Sequence, residues 1–175
     1  MRIMRLFIAC WLFLFILGQA WAGVLTKAEL AAKAINEGKE MDEPFKGANT
    51  ILIHTTDSAA AAYGNVARAL LAANFALGKT DKEFGIVSTV PRPGKTGVAV
   101  TVNAVITSEA GGSLVRLRGT GTWAVAEFVI RGAGQQISAV SYGGLQGSPK
   151  REEWNLMAQA AAAYKGGRVT YANQP

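Results

Sequence analysis

His54 is the only histidine in this 175-residue chain, and Asp57 and Ser58 follow it closely. An imidazole, a carboxylate and a hydroxyl are the parts of a nucleophilic hydrolase, so a triad can be drawn from the spacing alone. Asp57 and Ser58 also suit a different purpose. Short polar side chains accept from the free N–H groups of a helix's first turn, and a helical pattern starts just after them. That accounts for both residues without catalysis. His54 stands on a strand whose Ile51 and Ile53 point to the opposite face, so it faces solvent or a helix. A hydrolase is the least favoured reading. With one histidine and one cysteine, Cys10, in the whole chain, no ligand set for a metal can be assembled. No cofactor is expected.

Two glycine patterns resemble phosphate cradles. Gly94-Lys95-Thr96 looks like the end of a P-loop, but Thr89 stands where the earlier glycine is required. That segment joins two strands, whereas a phosphate loop must lead into a helix. Gly119-Thr120-Gly121-Thr122-Trp123-Ala124 fits the loose dinucleotide pattern, yet a β-rich run follows and supplies no helix dipole. Among the carboxylates, Glu152 and Glu153 suit a helix start and Glu109 a turn. Glu127 is the one acid inside an apolar strand.

The remaining chemistry is that of a surface. Thr101, Asn103, Arg116 and Arg118 alternate as residues on one sheet face would, Arg131 ends a later strand, and Arg92 and Lys95 lie in a neighbouring turn. Arginine's planar, multi-donor head suits anionic groups. A solvated face kept soluble by charge accounts for the same pattern.

The elements that must hold this face can be read in order. Ile51 to Thr56 is a short strand. An Ala-rich helix follows Asp57-Ser58 to about Leu77, with Tyr63, Val66, Ala67, Leu70 and Leu71 at helical spacing and Gly78 as the stop. Phe84 to Val90 is a strand, and Pro91 to Lys95 is a turn by composition. Val98, Val100, Val102, Ala104 and Ile106 alternate with Ala99, Thr101, Asn103, Val105 and Thr107, the clearest period-two segment in the chain. Leu114 to Arg118 and Trp123 to Ile130 are further strands; Gln136 to Tyr142 reads equally as strand or extended loop. Ser148-Pro149 opens a second helix whose buried stripe is Trp154, Met157, Ala158 and Ala161. Gly166-Gly167 ends it, and Arg168 to Tyr171 adds a short terminal strand. The expected fold is an α+β single domain. It has an antiparallel sheet of four to six strands in β-α-β4-α order, with two main helices on one face.

Ahead of this domain, Arg2 and Arg5, the apolar run Leu6 to Leu17 and Ala20-Trp21-Ala22 form the three parts of a secretory signal. Cleavage after Ala22 leaves 153 of the 175 residues, enough for one domain with a real core. Cys10 lies inside the signal, so neither a disulfide nor a cysteine nucleophile is expected in the mature chain. The whole chain carries a net charge of +6, and loss of Arg2 and Arg5 leaves +4, a balance compatible with acidic partners. Thr26-Lys27-Ala28-Glu29 is a capping box for a short helix closed by Gly38. Residues 37–49 read as a linker. The expected organisation is therefore signal 1–22, short helix and linker 23–49, and domain 50–175.

The stretch Ala69-Leu70-Leu71-Ala72-Ala73-Asn74-Phe75-Ala76-Leu77 followed by Asp81-Lys82-Glu83-Phe84-Gly85-Ile86-Val87-Ser88-Thr89 carries a resemblance. A helix ends near an aromatic, an acidic turn follows, and then a strand of the form G-[IV]-[IVL]-[ST]-T. This resembles the TBP-like domains of bacterial exported proteins and, more distantly, the domains of BamC-type envelope lipoproteins. Ser148 to Tyr171 is similar to that group's closing helix and strand, so the resemblance covers roughly residues 50–171. It implies a curved antiparallel sheet with both helices on one face, and a binding or assembly role. It does not imply nucleic-acid binding.

The resulting expectation is a periplasmic or secreted, non-enzymatic binding module. It would meet an envelope or secreted protein through Thr101, Asn103, Arg116, Arg118 and Arg131. The alternative is a carrier of a small hydrophobic ligand, with its pocket between the first main helix and the sheet.

Overall fold

The computed structural model describes residues 38–125 and 134–174, all within one compact unit that begins at Ala34. The expected signal segment with Cys10, the expected capping box at Thr26, Glu127 and Arg131 lie outside the described residues.

Ten elements follow in chain order. They are β1 (Thr50–Thr55), α1 (Ala59–Ala72), β2 (Leu77–Asp81), β3 (Ile86–Thr89), β4 (Arg92–Pro93), β5 (Val98–Glu109), β6 (Gly112–Val125), β7 (Gly134–Ala139), α2 (Pro149–Ala163) and β8 (Gly167–Ala172). The fold is α+β, with one antiparallel sheet of eight strands and two helices among the described residues. Its path is β2-β3-β5-β6-β1-β8, with β4 also on β5 and β7 also on β6. The long hairpin β5–β6 turns on Ala110-Gly111 and is the spine of the sheet. β6 pairs with β1 along its first half and with β7 along its second.

Both helices pack on one face of this spine. Val98, Val100, Val102, Ala104 and Ile106 are buried beneath them, and Ile51, Ile53, Val115 and Leu117 continue that core across β1 and β6. Each fully buried aliphatic side chain contributes about 1.5–3 kcal/mol of hydrophobic stabilisation before entropy is counted. The alternation read in β5 is the observed one.

The sheet has more strands than expected, and each addition has a physical reason. α1 stops at Ala72, not near Leu77. Asn74 adopts φ 58, and the N–H groups of Asn74 and Phe75 donate to the carbonyls of Leu71 and Leu70, both at 2.9 Å. That is a Schellman close, with asparagine in the left-handed position that glycine more often fills. Gly78 therefore stops no helix; it lies in β2, an edge strand of sequence LGKTD. β2 escapes detection because an edge strand needs no apolar face. Pro91 to Lys95 is not wholly turn either, since Arg92 and Pro93 pair with Val100 and Ala99, on an edge where proline's missing N–H is harmless.

Gly119 to Thr122 does not separate two strands, because β6 runs unbroken through it. Gly119 and Gly121 face the helices, where a Cβ on Gly119 would lie 2.8 Å from Val140 Cγ2 and 3.1 Å from Met157 Sδ. These glycines let α2 approach the strand. Residues 38–49 are not a free linker. Phe45 and Ala48 are buried, and Met41 pairs with Tyr171 beside β8. No helix among the described residues is long and apolar enough to cross a membrane.

Candidate functional site

The register places four of the five expected surface residues on the face away from the helices. Opposed residues of an antiparallel pair share a face. Thr101 stands opposite Thr120, and Asn103 opposite Arg118, which in turn stands opposite Thr50. Arg116 lies in the next row, between Val105 and Leu52. Asn103 accepts from Ser88 Oγ at 2.6 Å, and Arg118 Nε donates to Thr50 Oγ1 at 3.3 Å. Thr101, Asn103, Arg116 and Arg118 are all partly exposed.

The face is not uniformly wet. Leu52, Leu114 and Ala172 form a small buried cluster on it, and Arg116 Nε is buried without a hydrogen-bond partner. Arg92 and Lys95 do not belong to this surface. Arg92 pairs with Val100, which points to the helices. There it donates to the carbonyl of Ala73, reaches Gln159 Oε1 at 3.0 Å and lies over the Phe75 ring.

Nor does the structure assemble a triad. His54 Nε2 is 2.7 Å from Glu40 Oε2 and 3.2 Å from Thr170 Oγ1. Asp57 accepts from Asn65 at 2.6 Å and from the Tyr164 hydroxyl at 2.9 Å. Those two bonds, Tyr164's first, hold its carboxyl below the usual range against a small burial effect. Ser58 Oγ accepts from the N–H of Ala61 as the α1 cap. Each group has its own partner. Where α1 meets the sheet, Ile53, Val66, Leu70, Leu117 and Tyr164 line a gap with no room for a water molecule.

A cavity of about 440 Å³ lies elsewhere, between β6, β7 and the start of α2. Trp123, Ser138, Leu145, Pro149, Lys150 and Glu153 contribute to its lining. Glu153 is 4% exposed and makes no hydrogen bond among the described residues. Burial pushes its carboxyl above the usual range, with Lys150 pulling the other way. A Cβ on Gly121 would overlap the Glu153 carboxylate, so the bare glycine provides its seat. Trp123 Nε1 is buried and has no hydrogen-bond partner. Apart from Arg116 Nε, it is the only such side-chain atom among the described residues.

Sequence reasoning missed this cavity. The signal was helical spacing: Glu153 stands four residues before Met157 and seven before Ala160, on the buried stripe of α2. Glycines at alternate positions of an aromatic strand were the second sign. Among the described residues no group of three acids, histidines or cysteines is placed to hold a metal ion. Comparison with known proteins gives no matching family model and no matching curated sequence.

Proposed function

We propose that this protein is an exported, non-enzymatic binding module whose sheet face away from α1 and α2 takes an acidic segment of another envelope or secreted protein. The observation that carries this reading is the register itself. It sets Asn103, Arg118 and Thr50 in one row and Arg116 in the next, so two guanidinium groups share a face with hydroxyl and amide neighbours. Arginine presents paired donors to carboxylates in a geometry lysine does not match. The secretory pattern of residues 1–22 supports the location, and the resemblance to TBP-like exported domains supports a binding role. The separate engagement of His54, Asp57 and Ser58 supports a reading without catalysis.

The test uses a polyglutamate peptide as the acidic probe and a photo-crosslinker at Arg118, with Arg68 on α1 as the control position. Binding should weaken with added salt and be abolished by Arg116→Glu with Arg118→Glu, while Arg68→Glu leaves it unchanged. Adducts should form from Arg118 and not from Arg68. Retained binding in the double variant, with its fold intact by circular dichroism, overturns the proposed face.

A further inference from the structure

An outer strand of an open sheet presents a row of unpaired backbone donors and acceptors, and folded proteins normally guard it with charge, proline, a bulge or a covering segment. Three outer strands of this sheet are guarded. β2 carries Lys79 and Asp81, with a register shift between Leu77 and Thr80. β4 is two residues long and contains Pro93. β8 carries Arg168, ion-paired to Asp42 at 2.7 Å, and Met41 bridges to its Tyr171. β7 differs. Its sequence, GQQISA, has neither charge nor proline, and among the described residues it pairs with β6 alone. The ladder fixes which of its backbone groups point outward. The Val140 N–H donates to the Gly119 carbonyl at 2.9 Å. In the same register Ser138 and Gln136 bond to Gly121 and Trp123, because bonded pairs recur at every second residue. The N–H and C=O groups of Gln135, Ile137 and Ala139 therefore point away from β6. Ile137 stands opposite Thr122, itself opposite Ala99, so its side chain lies on the sheet face away from α1 and α2, 68% exposed.

We propose that β7 is a self-association edge, to which a second copy of this chain adds its own β7 in antiparallel sense about a twofold axis. Parity sets the register. Ile137, the middle of the three outward-pointing residues, stands opposite its own counterpart, and Ala139 stands opposite the counterpart of Gln135. Each of these pairs can then exchange both backbone hydrogen bonds. The chemistry of the strand selects a second copy. A strand paired with itself sets like charges against one another wherever it is charged, and β7 has none to oppose. An acidic or basic segment of another protein would find no opposite charge along it. Self-pairing also gives the exposed Ile137 an aliphatic neighbour directly across the new ladder, a stabilising cross-strand pair. The axis stands normal to the sheet, so both copies present the face bearing Arg116 and Arg118 on the same side. The contact uses neither arginine, so this inference and the proposed acidic partner stand or fall separately.

The experiment measures the monomer–dimer equilibrium of the full chain by sedimentation, with a dissociation constant of about 1 mM or tighter expected. Ile137→Pro removes an N–H that points outward and so costs no bond to β6; it should weaken the dimer about tenfold or more. Ile137→Lys sets two like charges opposite each other and should do the same. Thr80→Lys, on the guarded edge of β2, should leave the equilibrium unchanged. With Cys10→Ser removing the one native thiol, Ile137→Cys should give a disulfide-linked dimer on mild oxidation and Thr80→Cys should not. A chain that stays monomeric throughout, whether or not β7 takes up a strand of another protein, overturns the proposal. So does a dimer that survives both Ile137→Pro and Ile137→Lys with the fold intact by circular dichroism, or equal cross-linking from positions 137 and 80.

Discussion

Glu152 and Glu153 are adjacent in sequence, and each lies against a glycine, in opposite surroundings. Glu152 sits over Gly94 and accepts the backbone N–H groups of Lys95 and Thr96, the latter at 2.8 Å. Glu153 sits over Gly121 in the cavity, with no hydrogen bond among the described residues. The Gly94-Lys95-Thr96 turn thus does cradle an anion with its backbone, and the anion is the chain's own.

The two carboxyls should titrate on opposite sides of their common reference value of 4.5. The hydrogen bonds from Thr96, and then those from Lys95, outweigh burial and hold Glu152 low. Its contribution to stability is present above 4.5 and is lost as pH falls through the lower folded value. Burial raises Glu153, so its stability is full below 4.5 and is lost as pH rises through the higher folded value. Denaturant unfolding across pH should therefore show Glu152→Gln losing stability on the neutral side, and Glu153→Gln losing the wild-type decline there. Carboxyl ¹³C titration of the wild type is the direct check, and coincident titration of both groups would refute the assignment.

Gly121→Ala should destabilise by about 1–3 kcal/mol, the usual cost of forcing atoms into filled space. The added Cβ collides with the Glu153 carboxylate rather than with backbone. Combining it with Glu153→Ala should recover most of that loss, a coupling that a double-mutant cycle reads directly. Additive losses would mean that the glycine serves something other than the carboxylate.

Asn74→Ala should cost about 1 kcal/mol, because a Cβ-bearing residue without asparagine's local hydrogen bonding is strained at φ 58. Asn74→Gly should be neutral or slightly stabilising by the same argument. Thermal unfolding of the pair distinguishes a backbone requirement from a side-chain one.

Tyr164→Phe removes the first cause of Asp57's lowered pKa and leaves Asn65 as its remaining strong partner. The stability that Asp57 supplies exists above its reference value of 3.8 and is lost as pH falls through the lower folded value. The variant should therefore show a shallower acid-side loss, measured as the slope of unfolding free energy against pH. An unchanged slope would mean that the Tyr164–Asp57 bond does not tune Asp57.

Particular residues show how far the sequence could be read. β5 was legible because one face is fully buried and the other is not, which writes period two into the chain. Ser148-Pro149 was legible because a cap and a first-turn proline act locally. β2 was not, since its polar edge residues answer to pairing alone. Gly119 and Gly121 read as a break because low strand propensity is all that local reasoning sees; their purpose depends on Met157 and Glu153 of α2, far along the chain. Thr101 and Asn103 of β5 share a side with Arg116 and Arg118 of β6, and the buried Leu52 cluster on that side depends on the pairings of β1 and β8, which no local pattern carries. Glu153 was hidden beside Glu152, since both satisfy the helix dipole equally well in sequence.

The pairing of β1 with β8 has a consequence for when the sheet can be completed. Thr50 stands opposite Ala172, and the Asn49 side chain holds the Gln174 carbonyl at 2.8 Å across 125 positions of chain. Met41 extends the same seam. The β5–β6 hairpin closes over two residues and can form early and locally, whereas this seam requires the largest loop closures in the fold. A chain emerging vectorially, from a ribosome or through a membrane pore, can build the hairpin while β8 is still being delivered. Until then β1 has only β6 beside it, and the nascent domain presents an unpaired strand edge in need of protection.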